Sequence, residues 1–189
     1  MGMTVQRRRD TQTPRVFLHK VADIRGGVSV ASSELGSDWL PEGTVLTKPI
    51  DGICHVVKLA EVVAAVAESD KTISVKKGSL FKVGDIVLTA LDGKASKITA
   101  IDTTGKAADK ITVNAALGAI EIGGFLVEAK EASTTTTSAL KYEPFALVGT
   151  GKPIIANDNI NTDAWVFGLT KGNPLPEFIY DKLKGIVNI

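Results

Sequence analysis

Residues 71–130 read KTISVKKGSLFKVGDIVLTALDGKASKITAIDTTGKAADKITVNAALGAIEIGGFLVEAK. Polar and apolar side chains alternate at 97–101 and 110–113, as they do in a strand with one buried face. Glycine turns separate these runs at near-regular intervals. The pattern predicts strands at 72–76, 81–89, 97–102, 110–116 and 125–128, in a small antiparallel β-barrel or sandwich.

Outside this stretch the sequence also favours strands. We expect them at 28–30, 53–58, 145–148 and 164–169. Residues 56–67 are compatible with strand or helix, and their many valines favour strand. Pro176 predicts the start of a short C-terminal helix that buries Ile179 and Leu183 on one face and is stopped by Gly185. The fold class is therefore mainly β, with an extended N-terminal arm and one short helix.

Changes in composition divide the chain into four segments. Residues 1–25 form a basic arm, 26–70 a base region rich in strands and turns, and 71–132 the small barrel. Residues 133–189 contain a threonine-rich connection, a β segment and the helix. The run STTTTS at 133–138 is expected to be a linker or an exposed edge strand, with a glycosylated stalk as the alternative. The apolar end IVNI, residues 186–189, is expected to tuck into a core or a neighbouring subunit.

Charge is unevenly distributed along the 189 residues, although the net charge is only +1. Residues 1–25 sum to +4 and the remainder to −3. Arginine forks suit contacts with carboxylates, phosphates and interfaces. The arm is thus interpreted as a docking element for protein, with a solvated tail and a nucleic-acid contact as the alternatives. The predicted contacts with a capsid or a sister subunit are Arg7, Arg8, Arg9, Arg15, Arg25 and the apolar anchor Phe17.

Several short motifs resemble catalytic or metal sites without completing them. Cys54 and His55 are adjacent on a strand, so they point to opposite faces and suit neither one metal nor a nucleophile pair. GTGK at 149–152 lacks the remaining phosphate-loop residues. GVSVA at 27–31 is like a nucleophile elbow without its α/β framework. We expect a core cysteine, a surface histidine, a turn and a surface Ser29.

Acidic residues give no firmer site. NDNINTD at 157–163 is loosely like a calcium loop but lacks the glycine and the final glutamate, so a polar turn is favoured. Paired acids for hydrolysis are also considered, but turn aspartates explain the spacing better. The sequence predicts no catalytic residue, metal or cofactor, and hence no enzyme. The aspartates considered as paired acids are Asp85, Asp92, Asp102 and Asp109.

Membrane and export signals are not expected either. No stretch reaches the ~20 apolar residues of a spanning helix. No apolar core follows the arginines, which argues against a secretory signal.

Eight short motifs follow one another from about residue 20 to the end: IRGGVSVA (24–31), LTK (46–48), DGICHVVK (51–58), VKKGSLFKVGD (75–85), ITAID (98–102), DKITV (109–113), PLP (174–176) and LKGI (183–186). They are structural glycines, turns and strands rather than catalytic signatures. In this order they resemble the head fibre and decoration-type proteins of tailed bacteriophages and prophages.

The resemblance implies a non-enzymatic virion protein that is made in the bacterial cytoplasm and attached by one end to the capsid surface. Its implied partners are the major capsid protein and two sister copies, in a homotrimer. No heptad stalk follows the barrel, so a short knob or fibre base is expected. One alternative is a β module that binds a glycan or host surface. Another is a hydrolase with an unrecognised site.

Overall fold

The computed structural model describes residues 15–135, 137–155 and 158–189. It is mainly β, with antiparallel sheets and one short C-terminal helix, as the sequence predicts. The elements in chain order are β1 (Phe17–Asp23), β2 (Val28–Val30), β3 (Trp39–Leu40), β4 (Val45–Leu46), β5 (Ile53–Cys54), β6 (Leu59–Glu61), β7 (Thr72–Lys76), β8 (Ile86–Leu88), β9 (Ala95–Asp102), β10 (Ala108–Val113), β11 (Phe125–Glu128), β12 (Ala146–Val148), β13 (Lys152–Pro153), β14 (Ile160–Thr162), β15 (Ala164–Thr170), α1 (Glu177–Tyr180) and β16 (Ile186–Asn188).

Six strands form one sheet in the order β6-β11-β8-β9-β10-β7. The sheet curls until its two edges meet, where Val62 bridges Val75 and the Val63 amide donates to the Ser74 carbonyl at 2.9 Å. Alternation places Ile73 and Val75 inside, and both are fully buried. They belong to a core that also contains Phe81, Val87, Ile98, Ile111, Val113 and Leu126.

A second sheet has the order β1-β15-β12-β4, and β16 runs parallel to β15. Its core includes Phe17, Leu147, Ile179, Leu183 and Ile186, so the short helix packs against this sheet. The smaller sheets β14-β2-β5 and β13-β3 flank it. They share a third core that includes Val30, Leu40, Leu46 and Cys54.

The predicted strand 81–89 is wrong in its first half. Strand β8 is confined to Ile86–Leu88, because residues 82–85 form a turn instead. The Asp85 amide donates to the Lys82 carbonyl, and Gly84 adopts a φ of 102°. That left-handed backbone region favours glycine.

The helix is also shorter than predicted. It ends at Tyr180 and is followed by tight turns. In one of them the Leu183 amide donates a hydrogen bond to the Tyr180 carbonyl at 2.9 Å. Ile179 and Leu183 are both buried as expected. Gly185 does not stop the helix. A Cβ there would collide with the Val166 carbonyl, so glycine is needed where this segment lies against β15.

Residues 56–67 contain no helix. They supply β6 and isolated bridges at Val56, Val62 and Val66, as the valine content favours. Strand β6 lies before residue 71 yet pairs with β11 of the six-stranded sheet. In the described part of the threonine-rich run, Ser133 and Ala95 exchange two backbone hydrogen bonds of 2.8 and 2.9 Å. Among the described residues, no helix is long and apolar enough to cross a membrane.

Candidate functional site

The predicted contact residues do not form one cluster. Arg7, Arg8 and Arg9 lie outside the described residues. Arg15 and Arg25 are exposed and lie just beyond the opposite ends of β1. At about 3.3 Å per residue, that strand separates them by roughly 20 Å.

Phe17 is an internal anchor for β1. Its side chain is only 8% exposed, and its ring centroid lies 6.4 Å from that of Trp165. The Lys20 ammonium lies 5.4 and 5.3 Å from the same two ring centroids. Lys20 also pairs with Asp163 at 3.4 Å. Phe17 therefore holds the strand in the chain's own core.

The same sheet exposes a group of large apolar side chains. Strand register pairs Leu169 with Val187, so Phe167, Leu169 and Val187 lie on one face. Phe167 and Val187 are 54% and 58% exposed. We call the exposed apolar residues of β1, β15 and the C-terminal segment the apolar face: Leu18, Val21, Phe167, Val187 and Ile189.

A second unusual region is a buried charge cluster, which consists of Lys58, Asp85, Glu128 and Lys141. The Lys58 ammonium lies 2.6 Å from Asp85 Oδ2 and 3.2 Å from Glu128 Oε1. Lys141 Nζ also reaches Glu128 Oε1, at 2.9 Å. The Lys58 and Glu128 side chains are 1% and 2% exposed. Burying charges this deeply is costly unless they are paired.

The strands explain how these side chains meet. Lys58 precedes β6, Glu128 ends β11 and Asp85 precedes β8, and these three strands are neighbours in the six-stranded sheet. The Glu128 amide donates to the Lys58 carbonyl at 2.9 Å. Glu128 is also in register with Val87. Strand β11 lies between β6 and β8, so Glu128 stands between Lys58 and Asp85 in the order of the sheet.

Glu34, His55 and Tyr142 form a polar group near the cluster. Glu34 Oε1 accepts from the Tyr142 hydroxyl at 2.9 Å and lies 3.1 Å from His55 Nδ1. The His55 and Tyr142 rings stack with centroids 4.7 Å apart. Lys141 Nζ lies 4.9 Å from the Tyr142 ring centroid and so connects this group to the charge cluster.

Burial and hydrogen bonding act in opposite directions on several of these groups. Burial alone would raise the pKa of Glu34, but bonds from Tyr142 and His55 outweigh it and lower the pKa. Burial and the bond to Glu34 raise the pKa of Tyr142 to about 12. Burial alone would lower the pKa of Lys141, but Glu128 outweighs it and raises that pKa. Lys141 therefore stays charged and Tyr142 stays neutral at ordinary pH.

The motifs weighed in the sequence have mostly structural roles. Cys54 is buried as predicted, and burial raises the pKa of its thiol. His55 is partly buried rather than a free surface residue, because it stacks on Tyr142. The turn expected at 157–163 is wrong for Ile160–Thr162, which form β14, and Asn157 lies outside the described residues. Asp163 is engaged by Lys20 and by the Trp165 indole at 2.7 Å.

Three of the aspartates considered as paired acids differ in role. The prediction of turn aspartates is wrong for two of them, since Asp102 ends β9 and Asp109 lies within β10. Asp102 bonds Thr104 in the loop after β9, and Asp109 accepts hydrogen bonds from the Gly78 and Ser79 amides. Asp85 bonds the Lys82 amide in its turn but also joins the charge cluster. Sequence reasoning missed this cluster. Its signal was a charged residue directly after an apolar run, Lys58 after two valines and Glu128 after FLV.

The described residues contain no group of three or more histidine, cysteine, aspartate or glutamate side chains placed to hold a metal ion. Comparison of the chain with protein-family models, curated proteins and solved structures gave no match. The resemblance noted in the sequence therefore stays a prediction.

Proposed function

We propose that this chain is a structural virion protein, a head fibre or decoration protein on the outer capsid surface of a tailed phage. In this proposal it is a homotrimer held on the major capsid protein by its N-terminal side. The observation that carries the proposal is the apolar face. Its side chains are 54–65% exposed, and strand register puts Phe167 and Val187 on one face, a surface suited to burial against another protein.

The position of β1 supports the same assignment. Among the described strands, β1 pairs only with β15, so its other edge offers free backbone groups. Exposed strand edges are common sites of pairing between chains. Arg15 and Arg25 flank this edge and supply charge for contacts with acidic residues.

Co-sedimentation tests the capsid contact. The full chain would be mixed with heads purified from the phage or prophage that encodes it and stripped of accessory proteins. We expect the wild type to sediment with the heads and to have a trimer mass by light scattering. A monomer that does not bind the heads would overturn the proposal.

Substitutions assign the contact to the apolar face. The double variant Phe167→Ser, Val187→Ser should bind at least tenfold more weakly. Ile122→Ser is the matched control, because Ile122 is 69% exposed but lies on the loop before β11. Deleting residues 2–14 tests the arm without removing β1, which a deletion of residues 1–25 would destroy. Unchanged binding of the double variant would exclude the apolar face.

A glycan-binding module is the second candidate, and Trp39 is the observation that favours it. Trp39 is 37% exposed and packs beside Gly151. A nearby polar groove is lined by residues that include Ser29, Thr150, Lys152 and Asn161. Aromatic rings beside polar side chains suit the apolar faces and hydroxyls of sugars. Hits on a glycan array that disappear in Trp39→Ala would support this candidate, and an array without hits would remove it.

A further inference from the structure

We propose that the side chains of Lys58 and Asp85 join in an intramolecular isopeptide bond, with Glu128 as the group that moves the protons. The proposal is independent of the virion assignment. It rests on the geometry of the buried charge cluster, which the proposed function does not use.

The reacting atoms are already close. Lys58 Nζ lies 2.6 Å from Asp85 Oδ2, which brings it to about 3–3.5 Å from the carboxyl carbon, the distance of a near-attack geometry. Both residues directly precede strands of one sheet, so the backbone fixes them. Such positioning turns a slow bimolecular condensation into a reaction within one molecule.

The surroundings of these side chains are apolar. Because residues two apart along a strand share a face, Lys58 lies on the side of Ala60 and Glu128 on the side of Leu126. Ala60, Leu126 and Val87, the register partner of Glu128, belong to one apolar core. In such a water-poor site, a separated pair of charges loses much of its solvation. Passing one proton from the ammonium to the carboxylate gives the amine and the acid that the reaction requires.

The reaction balances without any other reagent. The Nζ lone pair attacks Cγ of Asp85, and the carbonyl electron pair moves to its oxygen. Glu128 takes a proton from Nζ and delivers it to the hydroxyl of Asp85. The carbonyl re-forms, the C–O bond breaks and one water leaves. An ammonium and a carboxylate thus become an amide and a water molecule, with no oxidation or reduction.

Glu128 is equipped for this role. Its Oε1 contacts the Lys58 ammonium, while its buried Oε2 has no hydrogen-bond partner among the described residues. A buried oxygen without a partner is costly, and here it is free to carry a proton. After the reaction the carboxylate accepts the new amide N–H. Lys141 still balances its charge, because the bond removes one positive and one negative group together.

Asp85 is the better electrophile of the two carboxyls. It is the closer one to Lys58, by 0.6 Å according to the distances of 2.6 and 3.2 Å. Its side chain is 15% exposed, which gives the departing water a path to solvent. Glu128 Oε1 is held by Lys141 as well.

Intact mass spectrometry of the full-length wild type under denaturing conditions tests the proposal. We expect a mass below that of the linear chain by one water molecule, after allowing for removal of Met1. Peptide mapping should find one branched peptide that joins Lys58 to Asp85. A wild-type mass equal to that of the linear chain after prolonged incubation would overturn the proposal, and so would a branch at Glu128.

Variants assign the roles. Lys58→Met and Asp85→Ala should have the linear mass because they remove a reacting group. Glu128→Gln should retain the full mass of the linear chain because it lacks the proton carrier, although both reacting groups are still present. Asp109→Asn is the matched control, since it alters another buried carboxylate that is paired with a lysine and should still lose one water. Loss of water in Glu128→Gln at the wild-type rate would remove Glu128 from the mechanism. The wild-type measurement stands even if a variant fails to fold.

Discussion

Asp109 and Glu128 are two buried carboxylates paired with lysines, and they are built differently. The Asp109 side chain is 2% exposed, but its partner Lys77 is 44% exposed and reaches in from solvent at 2.7 Å. Asp109 Oδ2 also accepts the Gly78 and Ser79 amides at 2.9 and 3.3 Å. Glu128 instead pairs with the buried Lys58, and its Oε2 has no partner among the described residues.

The difference separates a structural carboxylate from a reactive one. Asp109 has every oxygen engaged and holds the turn after β7. Glu128 leaves one oxygen open beside a lysine that is shielded from water. The two carboxylates are buried to the same extent. They differ in the number of hydrogen bonds that they accept and in the exposure of the lysine that pairs with them.

The largest expected effect is that of Glu128→Ala. It removes one of the two carboxylate partners of Lys58 and the carboxylate partner of Lys141, and breaking a buried pair costs about 3–5 kcal/mol. Loss of the proposed link between Lys58 and Asp85 acts in the same direction. Urea denaturation should show the loss as a lower midpoint.

The control for Glu128→Ala is Lys182→Ala. Lys182 pairs with Glu143 at 3.1 Å, but the side chains are 49% and 75% exposed. Exposed pairs contribute at most about 1 kcal/mol. Equal losses for Glu128→Ala and Lys182→Ala would contradict the distinction between buried and exposed pairs.

A smaller and pH-dependent effect is expected of Asp109→Asn. Burial alone would raise the pKa of Asp109, but bonds from Lys77, Gly78 and Ser79 outweigh it and lower the pKa. A lowered native pKa stabilises the fold above the unfolded value of about 3.9. The variant should lose about 1.5–3 kcal/mol at neutral pH.

Stability measured against pH checks the sign of that effect. The difference between wild type and Asp109→Asn should be constant at neutral pH. It should shrink as the pH falls from about 3.9 through the lowered native value. A difference that grows in acid would contradict the assignment of Asp109 as a stabilising carboxylate.

The smallest effect is expected of Tyr142→Phe. It keeps the ring on His55 and removes the hydroxyl that donates to Glu34, at a cost of about 1 kcal/mol. In an ultraviolet titration, the wild type should show a tyrosine with a pKa of about 12. The titration of this tyrosine should be absent from the variant. If the titration persists, it belongs to Tyr180, the other tyrosine of the chain.

Much of the β structure could be predicted from local sequence. Strands β7 and β11 have the predicted bounds, because glycine turns limit each run. The prediction for 81–89 failed because an apolar pattern does not reveal the turn that Asp85 stabilises. Phe81 is buried without being in a strand.

The charge cluster could not be predicted in this way. Lys58, Asp85 and Glu128 are far apart in the sequence, and they meet only because β11 lies between β6 and β8. Strand order depends on long-range pairing, which local alternation does not encode. The apolar face had a clearer signal in the IVNI ending, but only the register of β16 against β15 shows that Val187 faces outward.

Strand β15 also sets an order of folding during synthesis. The named strands of the six-stranded sheet are complete once Glu128 has been made, whereas β1 must wait for its partner, which ends at Thr170. Such non-local pairing is slow to form, and units completed early tend to fold first. Strand β1 is therefore among the last of the described strands to find its place, and Phe17 remains without its aromatic neighbour until Trp165 has been made.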